Sequence, residues 1–224
     1  MPGSWELQNS TLVGVLHVET TTVAWALGLR KLIIPGPDPL FVTGMPFDHA
    51  RNELVKAMLA RGLEYLFCLD SDVVTPPDTI LRLQSHRQPI ISGVYFRRSQ
   101  PFVANLANGQ PTGIPVMQKN GGWCIDYPPN SVIEVDVVGA GCLLIHRSVF
   151  ENMPHQRPGK PWFDWRVDMQ EHLPREKCLS EDFTFCQAAR EKGYKILVDT
   201  SIECKHIGYA QSKKEGFAPL ETYS

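Results

Sequence analysis

No apolar run in the 224 residues reaches the ~18 that a membrane-spanning helix needs. The N-terminal Met1-Pro2-Gly3-Ser4-Trp5-Glu6 carries no basic stretch of the kind that opens a signal peptide. A soluble, cytoplasmic protein is the expectation, in the host cytoplasm if the source is viral. Cysteine is sparse: six residues, at 68, 124, 142, 178, 186 and 204, without a Cys-x-x-Cys pair. That spacing supports neither a disulfide framework nor a regular zinc motif. The nearest approach to a zinc set is Cys178, Cys186, Cys204 and His206, at irregular intervals. Repeats and low-complexity tracts are missing, which excludes solenoids and disordered linkers. Strong net charge is missing too: 22 Lys and Arg face 24 Asp and Glu, a balance of -2. A surface basic all over is thereby excluded, though a local patch is not. Acid is absent from Thr79 through Ile125, a stretch that carries Arg82, His86, Arg87, Arg97, Arg98 and Lys119. Such a segment can form a positive face toward a phosphate-bearing partner.

With 43% apolar residues the chain can bury a sizeable core, and its length suits one domain over residues 1–224, with 208–224 as a flexible polar tail. Thr11 to Val18 is β-branched and alternates weakly, which predicts a first strand. Trp25 to Leu32 and Asp48 to Arg61 read as helices. In the second, Leu54, Val55, Met58 and Leu59 line one face before Gly62 stops it. Tyr65 to Leu69 is a short apolar run, as expected of a buried parallel strand. Thr75-Pro76-Pro77-Asp78 predicts a helix start at Thr75, running through Leu83. Strands are expected over Pro89–Phe96, within Val132–Ile145 around Gly139-Ala140-Gly141, and at Lys195–Val198 and Ile202–Lys205. Residues 99–131 and 152–180 read as loops or a small antiparallel excursion. Ser180 is placed to cap a helix over Glu181–Lys192, closed by Gly193. Strand and helix alternate, so the predicted fold class is an α/β sandwich, Rossmann-like, with a mostly parallel central sheet.

Asp70-Ser71-Asp72 closes the Tyr65 strand. Ligands of parallel sheets bind beyond the carboxyl ends of the strands. Two acids one residue apart there can share a divalent cation such as Mg²⁺ or Mn²⁺, which favours carboxylates together with substrate phosphates. The alternative role for either acid is to help cap the next helix. Glu181-Asp182 opens a helix, where acids complement the helix dipole. A carboxylate held there is also placed to take a proton from an incoming hydroxyl. His206, at the end of the last strand, is either structural or a further metal ligand. Arg97-Arg98 directly follows a strand and would sit near the site mouth. Trp123, Trp162, Phe163 and Trp165 lie in the two long loops, as anchors on the core or as stacking surfaces.

In chain order these pieces resemble the family 2-like glycosyltransferases, most closely the short single-domain GT-A proteins of phages and bacteria. Pro46-Phe47-Asp48-His49-Ala50-Arg51-Asn52 resembles the family's D-x-A-R-N helix start, and Asp70-Ser71-Asp72 its D-x-D element. Val138-Gly139-Ala140-Gly141-Cys142-Leu143-Leu144-Ile145 resembles its acceptor-side strand. Ser180-Glu181-Asp182-Phe183 matches its x-E-D motif, and His206 its late histidine. The resemblance spans roughly residues 10 to 208. It implies a GT-A fold and a nucleotide-sugar donor, UDP-linked by the family's habit. It further implies Mn²⁺ or Mg²⁺ on Asp72 with help from Asp70 and His206, and Asp70 on the donor's ribose or sugar. Asp48, Arg51 and Asn52 would lie near the nucleotide, with Asp182 as the base of an inverting transfer and Glu181 beside it. Gly139 and Gly141 would let backbone approach a ligand. His17-Val18-Glu19-Thr20 departs from the proline-containing turn that many relatives have at the end of the first strand.

The acceptor is not specified. The phage-like resemblance and the acid-free stretch together suggest one class, a hydroxymethylated base in DNA. Two other readings stand beside transfer. A nucleotidyltransferase would want a Gly-rich basic loop after the first strand, where Glu19-Thr20-Thr21-Thr22 offers neither Gly nor Lys or Arg. A non-catalytic carbohydrate- or nucleic-acid-binding module would not need Asp70, Asp72, Asp182 and His206 together. The sugar and the oligomeric state are not specified either.

Overall fold

The computed structural model describes residues 10–17, 20–97, 103–104, 111–112, 114–153, 159, 161–165, 180–208 and 221–223. In chain order the elements are Thr11–Leu16 (β1), Val23–Lys31 (α1), Leu40–Val42 (β2), Phe47–Ala60 (α2), Tyr65–Asp70 (β3), Val73–Val74 (β4), Thr79–Ser85 (α3) and Ile90–Val94 (β5). Val103–Ala104 (β6), Pro111–Thr112 (β7), Met117–Lys119 (β8), Gly122–Trp123 (β9), Val132–Val135 (β10), Val137–Val138 (β11) and Cys142–His146 (β12) follow. Arg147–Asn152 (α4), Glu181–Glu191 (α5), Ile196–Glu203 (β13), Lys205–Gly208 (β14) and Glu221–Tyr223 (β15) complete the set.

Seven strands form the central sheet in the order β10-β13-β5-β12-β3-β1-β2. Strands β2, β1, β3, β5 and β13 run one way; β12 lies antiparallel between β3 and β5, and β10 antiparallel at the edge. The fold is thus the mixed α/β, mostly parallel sandwich expected of the sequence. Both faces are covered, which is why the central strands read as continuous apolar runs. Leu12, Leu66, Cys68 and Leu143 face α2 and α5, where Leu54, Met58 and Phe185 meet them. Their neighbours Val13, Phe67, Leu69 and Leu144 face α1 and α3, against Trp25, Ile80 and Leu83. Helix α2 packs so closely on β1 that a Cβ on Gly14 would sit 2.6 Å from Leu54 Cδ1.

Several elements differ from expectation. Helix α3 starts at Thr79 with Asp78 as its cap residue, because each proline holds the residue before it extended and delays the turn. The two predicted C-terminal strands are one strand, β13, with a bulge between Asp199 and Glu203. Strands β2 and β4 and helix α4 are too short for periodicity to reveal. The excursion over 99–131 contains β8 and β9, whose hairpin pairs with β11. Of the expected tail, Glu221–Tyr223 forms β15 against β14. Val18 and the Arg98 side chain lie outside the described residues. Among those described, no helix is long and apolar enough to cross a membrane.

Candidate active site

The carboxyl ends of β1, β3, β5 and β13 share one edge of the sheet, and the segment that enters β12 returns there. At this edge a cavity of about 380 Å³ is lined by Leu16, His17, Phe47, Arg51, Asp70, Ser71, Asp72, Trp165, Ser180, Glu181 and Asp182. Its wall joins the D-x-D and x-E-D segments, more than a hundred residues apart in the chain.

The D-x-D turn is held from two sides. From α1 the indole of Trp25 donates to the carbonyl of Asp70 (3.0 Å), and Thr21 Oγ1 donates to that of Ser71 (3.2 Å). From the far end of the chain, β14 pairs with β4 so that His206 lies opposite Val73. The amide of Ile207 donates to Asp72 O at 2.8 Å. This ladder sets His206 Nε2 3.4 Å from Asp72 Oδ1, while the other ring nitrogen of His206 hydrogen-bonds to Phe96 O.

Arg51 spans the floor. Its Nε donates to Glu181 Oε1 at 2.9 Å and its Nη2 to Asp70 Oδ1 at 3.1 Å. A third, longer bond reaches Ala140 O at 3.4 Å. Burial by itself would lower the pKa of this guanidinium, but Asp70 and Glu181 outweigh it and hold it well above the usual arginine value. Glu181 is itself buried, which raises its pKa against the opposing pull of Arg51. Its carboxylate anchors Arg51.

Asp182 is pinned by three donors. Ser180 Oγ and the amide of Phe183 donate to its Oδ1, and the amide of Ala140 donates to Oδ2 at 3.3 Å. Ser180 thus caps the acid rather than the helix backbone. Burial pushes the Asp182 carboxyl up, against the lowering bonds from Ser180 and Phe183 and the charge of Arg51. Oδ2, with one long bond, retains capacity for a proton.

Gly139 and Gly141, expected to make room for a ligand, stand against Tyr95. A Cβ on Gly139 would fall 1.9 Å from the Tyr95 hydroxyl, and one on Gly141 2.9 Å from Tyr95 Cζ and 3.1 Å from Asp70 Oδ2. The Tyr95 hydroxyl accepts from the amide of Gly141 at 3.1 Å. Its ring meets His206 edge-on, with centroids 5.8 Å apart. Burial, and then the acids Asp70 and Asp182, raise the Tyr95 pKa well above the ordinary phenol value. Tyr95 therefore connects both acidic segments, and nothing in its surrounding sequence marked it.

A correction concerns Asp48 and Asn52, expected beside the nucleotide. Both are buried, and neither lines the cavity. Asn52 Nδ2 donates to Asp48 O and Phe163 O, each at 2.7 Å, and its Oδ1 accepts from the amides of Trp162 (3.1 Å) and Phe163 (3.2 Å). Asp48 accepts from the amides of His49 at 2.9 Å and Trp165 at 3.4 Å. These two side chains fasten the 161–165 segment to α2. Phe163 stacks on Phe185 in the core, with centroids 4.6 Å apart. Trp165, left 40% exposed beside the 53% exposed Phe47, forms the apolar rim with Leu16 and His17.

Arg97 is exposed and does not line the cavity; its guanidinium lies 4.8 Å above the centroid of Trp123. Trp123 in turn packs against Phe183, centroids 6.2 Å apart. The irregular zinc set does not assemble among the described residues: the Cys186 thiol donates to Val138 O at 3.6 Å, and burial pushes its pKa up to about 12.

Among the described residues, no three His, Cys, Asp or Glu side chains converge as a ready-made metal cage. Asp72 and Asp70 line the cavity, and the buried His206, which does not line it, sets its imidazole against Asp72 from behind. Such a pair suits a divalent ion that completes its shell with phosphate oxygens and water.

No protein-family model matches the chain, and no curated protein matches it. Its fold is similar to that of A197 from STIV, with a TM-score of 0.62 and 15% identity over 88% of this chain and 85% of that one. It is also similar to GalNAc-T7, solved with UDP, GalNAc and Mn²⁺, with a TM-score of 0.55 and 11% identity over 95% of this chain and 46% of that one. This chain thus spans about half the length of the GalNAc-T7 chain. At such identities the likeness concerns the fold alone, a Rossmann-like α/β fold of the GT-A kind.

Proposed function

We propose that the protein transfers a sugar from a nucleoside-diphosphate sugar, with UDP as the nucleotide, to a hydroxyl acceptor, with inversion and with Mn²⁺ or Mg²⁺. The observation that carries this reading is the meeting of Asp70, Asp72, Glu181 and Asp182 around one cavity, with Arg51 as the cation in its lining. Four carboxylates against one guanidinium repel a bare diphosphate. Asp72 and His206 would hold a divalent ion, whose charge would offset that repulsion, and GalNAc-T7, of similar fold, was solved with UDP and Mn²⁺. The rim of Leu16, His17, Phe47 and Trp165 offers a planar base an apolar resting place.

In this reading Asp70 holds the donor's ribose or sugar, oriented by its bond to Arg51. A bound metal supplies charge neutralisation to the departing diphosphate. The acceptor oxygen bonds to the anomeric carbon as the bond from that carbon to the diphosphate oxygen breaks. The acceptor's proton passes to Asp182 Oδ2, the carboxylate oxygen held by a single long bond from the Ala140 amide.

A panel of nucleoside-diphosphate sugars, screened by thermal shift with and without Mn²⁺, tests the proposal. Ligands that bind the native state raise the melting temperature by mass action. The expected result is a shift for UDP-sugars only in the presence of the metal, with release of UDP over time. Metal-independent shifts, or none, overturn it; binding without release favours a non-catalytic module.

A further inference from the structure

The cavity accounts for a donor and leaves the acceptor unassigned. Arg97 and Trp123 lie outside it, yet they connect to both of its halves. Phe96, adjacent to Arg97, supplies the carbonyl that bonds His206. Trp123 packs on Phe183, adjacent to Asp182. The guanidinium stacked on Trp123 is exposed, and among the described residues it has no carboxylate within ion-pair distance. It stands in the segment that lacks Asp and Glu from Thr79 to Ile125, so neighbouring sequence supplies no internal counter-charge. A guanidinium seated over an indole keeps N–H donors for a second partner, and a phosphate is the anion that accepts two of them in parallel.

The geometry points to an anion subsite at Arg97 and Trp123, on the acceptor side of Asp182, that takes a phosphate group carried by the acceptor. It rests on the transferase reading for the word acceptor, but the anion subsite itself does not. The donor diphosphate belongs with Asp72, inside the cavity that Arg97 does not line. The acceptor phosphate has two possible sources, a nucleic-acid backbone and a small phosphomonoester. An exposed platform outside a cavity suits the backbone of a long strand.

The test uses a fluorescein-labelled DNA duplex of twelve base pairs with one 5-hydroxymethylcytosine, followed by anisotropy from 50 to 200 mM salt. A parallel titration uses glucose 6-phosphate. UDP with Mn²⁺ is titrated by calorimetry on the same proteins. Arg97→Ala is expected to weaken the duplex about 5- to 10-fold and to lower the salt slope by about one unit, the mark of one lost phosphate contact. The UDP titration should stay within about twofold, since one lost phosphate contact on the acceptor leaves the donor's contacts in place. Trp123→Ala should weaken the duplex in the same direction, and Trp123→Phe, which keeps an aromatic face, should restore most of it. Arg61→Ala, an exposed arginine at the end of α2, is the control and should leave the duplex titration unchanged. Arg97-dependent binding of glucose 6-phosphate and not of duplex supports the subsite with the small-molecule source. No Arg97-dependent binding of either probe, or an equal loss of UDP, overturns it. A wild-type protein that fails to bind UDP but still loses duplex on Arg97→Ala removes the donor reading and supports the subsite.

Discussion

Asp72 Oδ1 and His206 Nε2 stand 3.4 Å apart, although 134 residues separate them in the chain. The contact is created by backbone: β14 pairs with β4, and the amide of Ile207 bonds to the carbonyl of Asp72. The pair is thus held by a backbone ladder and not by side-chain packing alone, which fixes its geometry before any ligand arrives.

The two acidic segments should separate binding from turnover. Asp72→Ala is expected to abolish Mn²⁺-dependent UDP binding in calorimetry. Asp182→Asn should bind UDP nearly as the wild type does and lower transfer, read as UDP release, by about 100- to 10,000-fold, the usual worth of a positioned base. Equal loss of binding in both variants contradicts the division of labour.

Arg51 is a buried cation paired with two acids. Its side chain and that of Glu181 are almost wholly inaccessible, whereas Asp70 is partly open to the cavity. Arg51→Met strands the Glu181 carboxylate without its partner, and such a loss costs roughly 3–5 kcal/mol. Urea unfolding of the two proteins at neutral pH gives the comparison. A change within 1 kcal/mol, about the worth of an exposed pair, would show that the triad is not an internal one.

Burial raises the pKa of both Glu181 and Asp182, so the folded state binds protons more tightly there than the unfolded chain does. Their contribution to stability is therefore fully present below the unfolded carboxyl pKa and is lost as pH rises through the higher folded value. Asp182→Asn removes one of these groups. The stability of this variant relative to wild type should rise from pH 4 toward pH 8, read from urea midpoints across the series. A flat or falling difference would show that burial does not raise the Asp182 pKa.

Gly139 faces the Tyr95 hydroxyl at a distance no Cβ tolerates. Gly139→Ala should destabilise by about 1–3 kcal/mol through overpacking. Adding Tyr95→Phe to it should recover part of the loss, because the nearest clashing atom is gone. Thermal unfolding of the single and double variants measures the coupling. Strictly additive losses would mean that backbone conformation, not Tyr95, demands the glycine.

Local pattern was enough for the elements with a long repeat. The apolar stripe Leu54, Val55 and Met58 determined α2, and the run from Tyr65 to Leu69 determined β3, because burial leaves a period in the sequence. The acids at the end of β3 and the start of α5 were legible as chemistry, since polar groups following an apolar run must meet solvent or a ligand. What the chain order could not reveal was which distant backbone each would meet. His206 reaches Asp72 through a ladder between two-residue β4 and β14, too short to leave a pattern. Asn52 and Asp48 carry the side chains of a ligand-binding motif, yet tertiary packing commits them to the 161–165 segment, where their hydrogen bonds satisfy backbone that burial would otherwise strand. Gly139 and Gly141 advertised a close approach without naming the visitor. Only the packing of β5 beside β12 decided that the visitor is Tyr95, because steric exclusion acts between neighbours in space, whatever their separation along the chain.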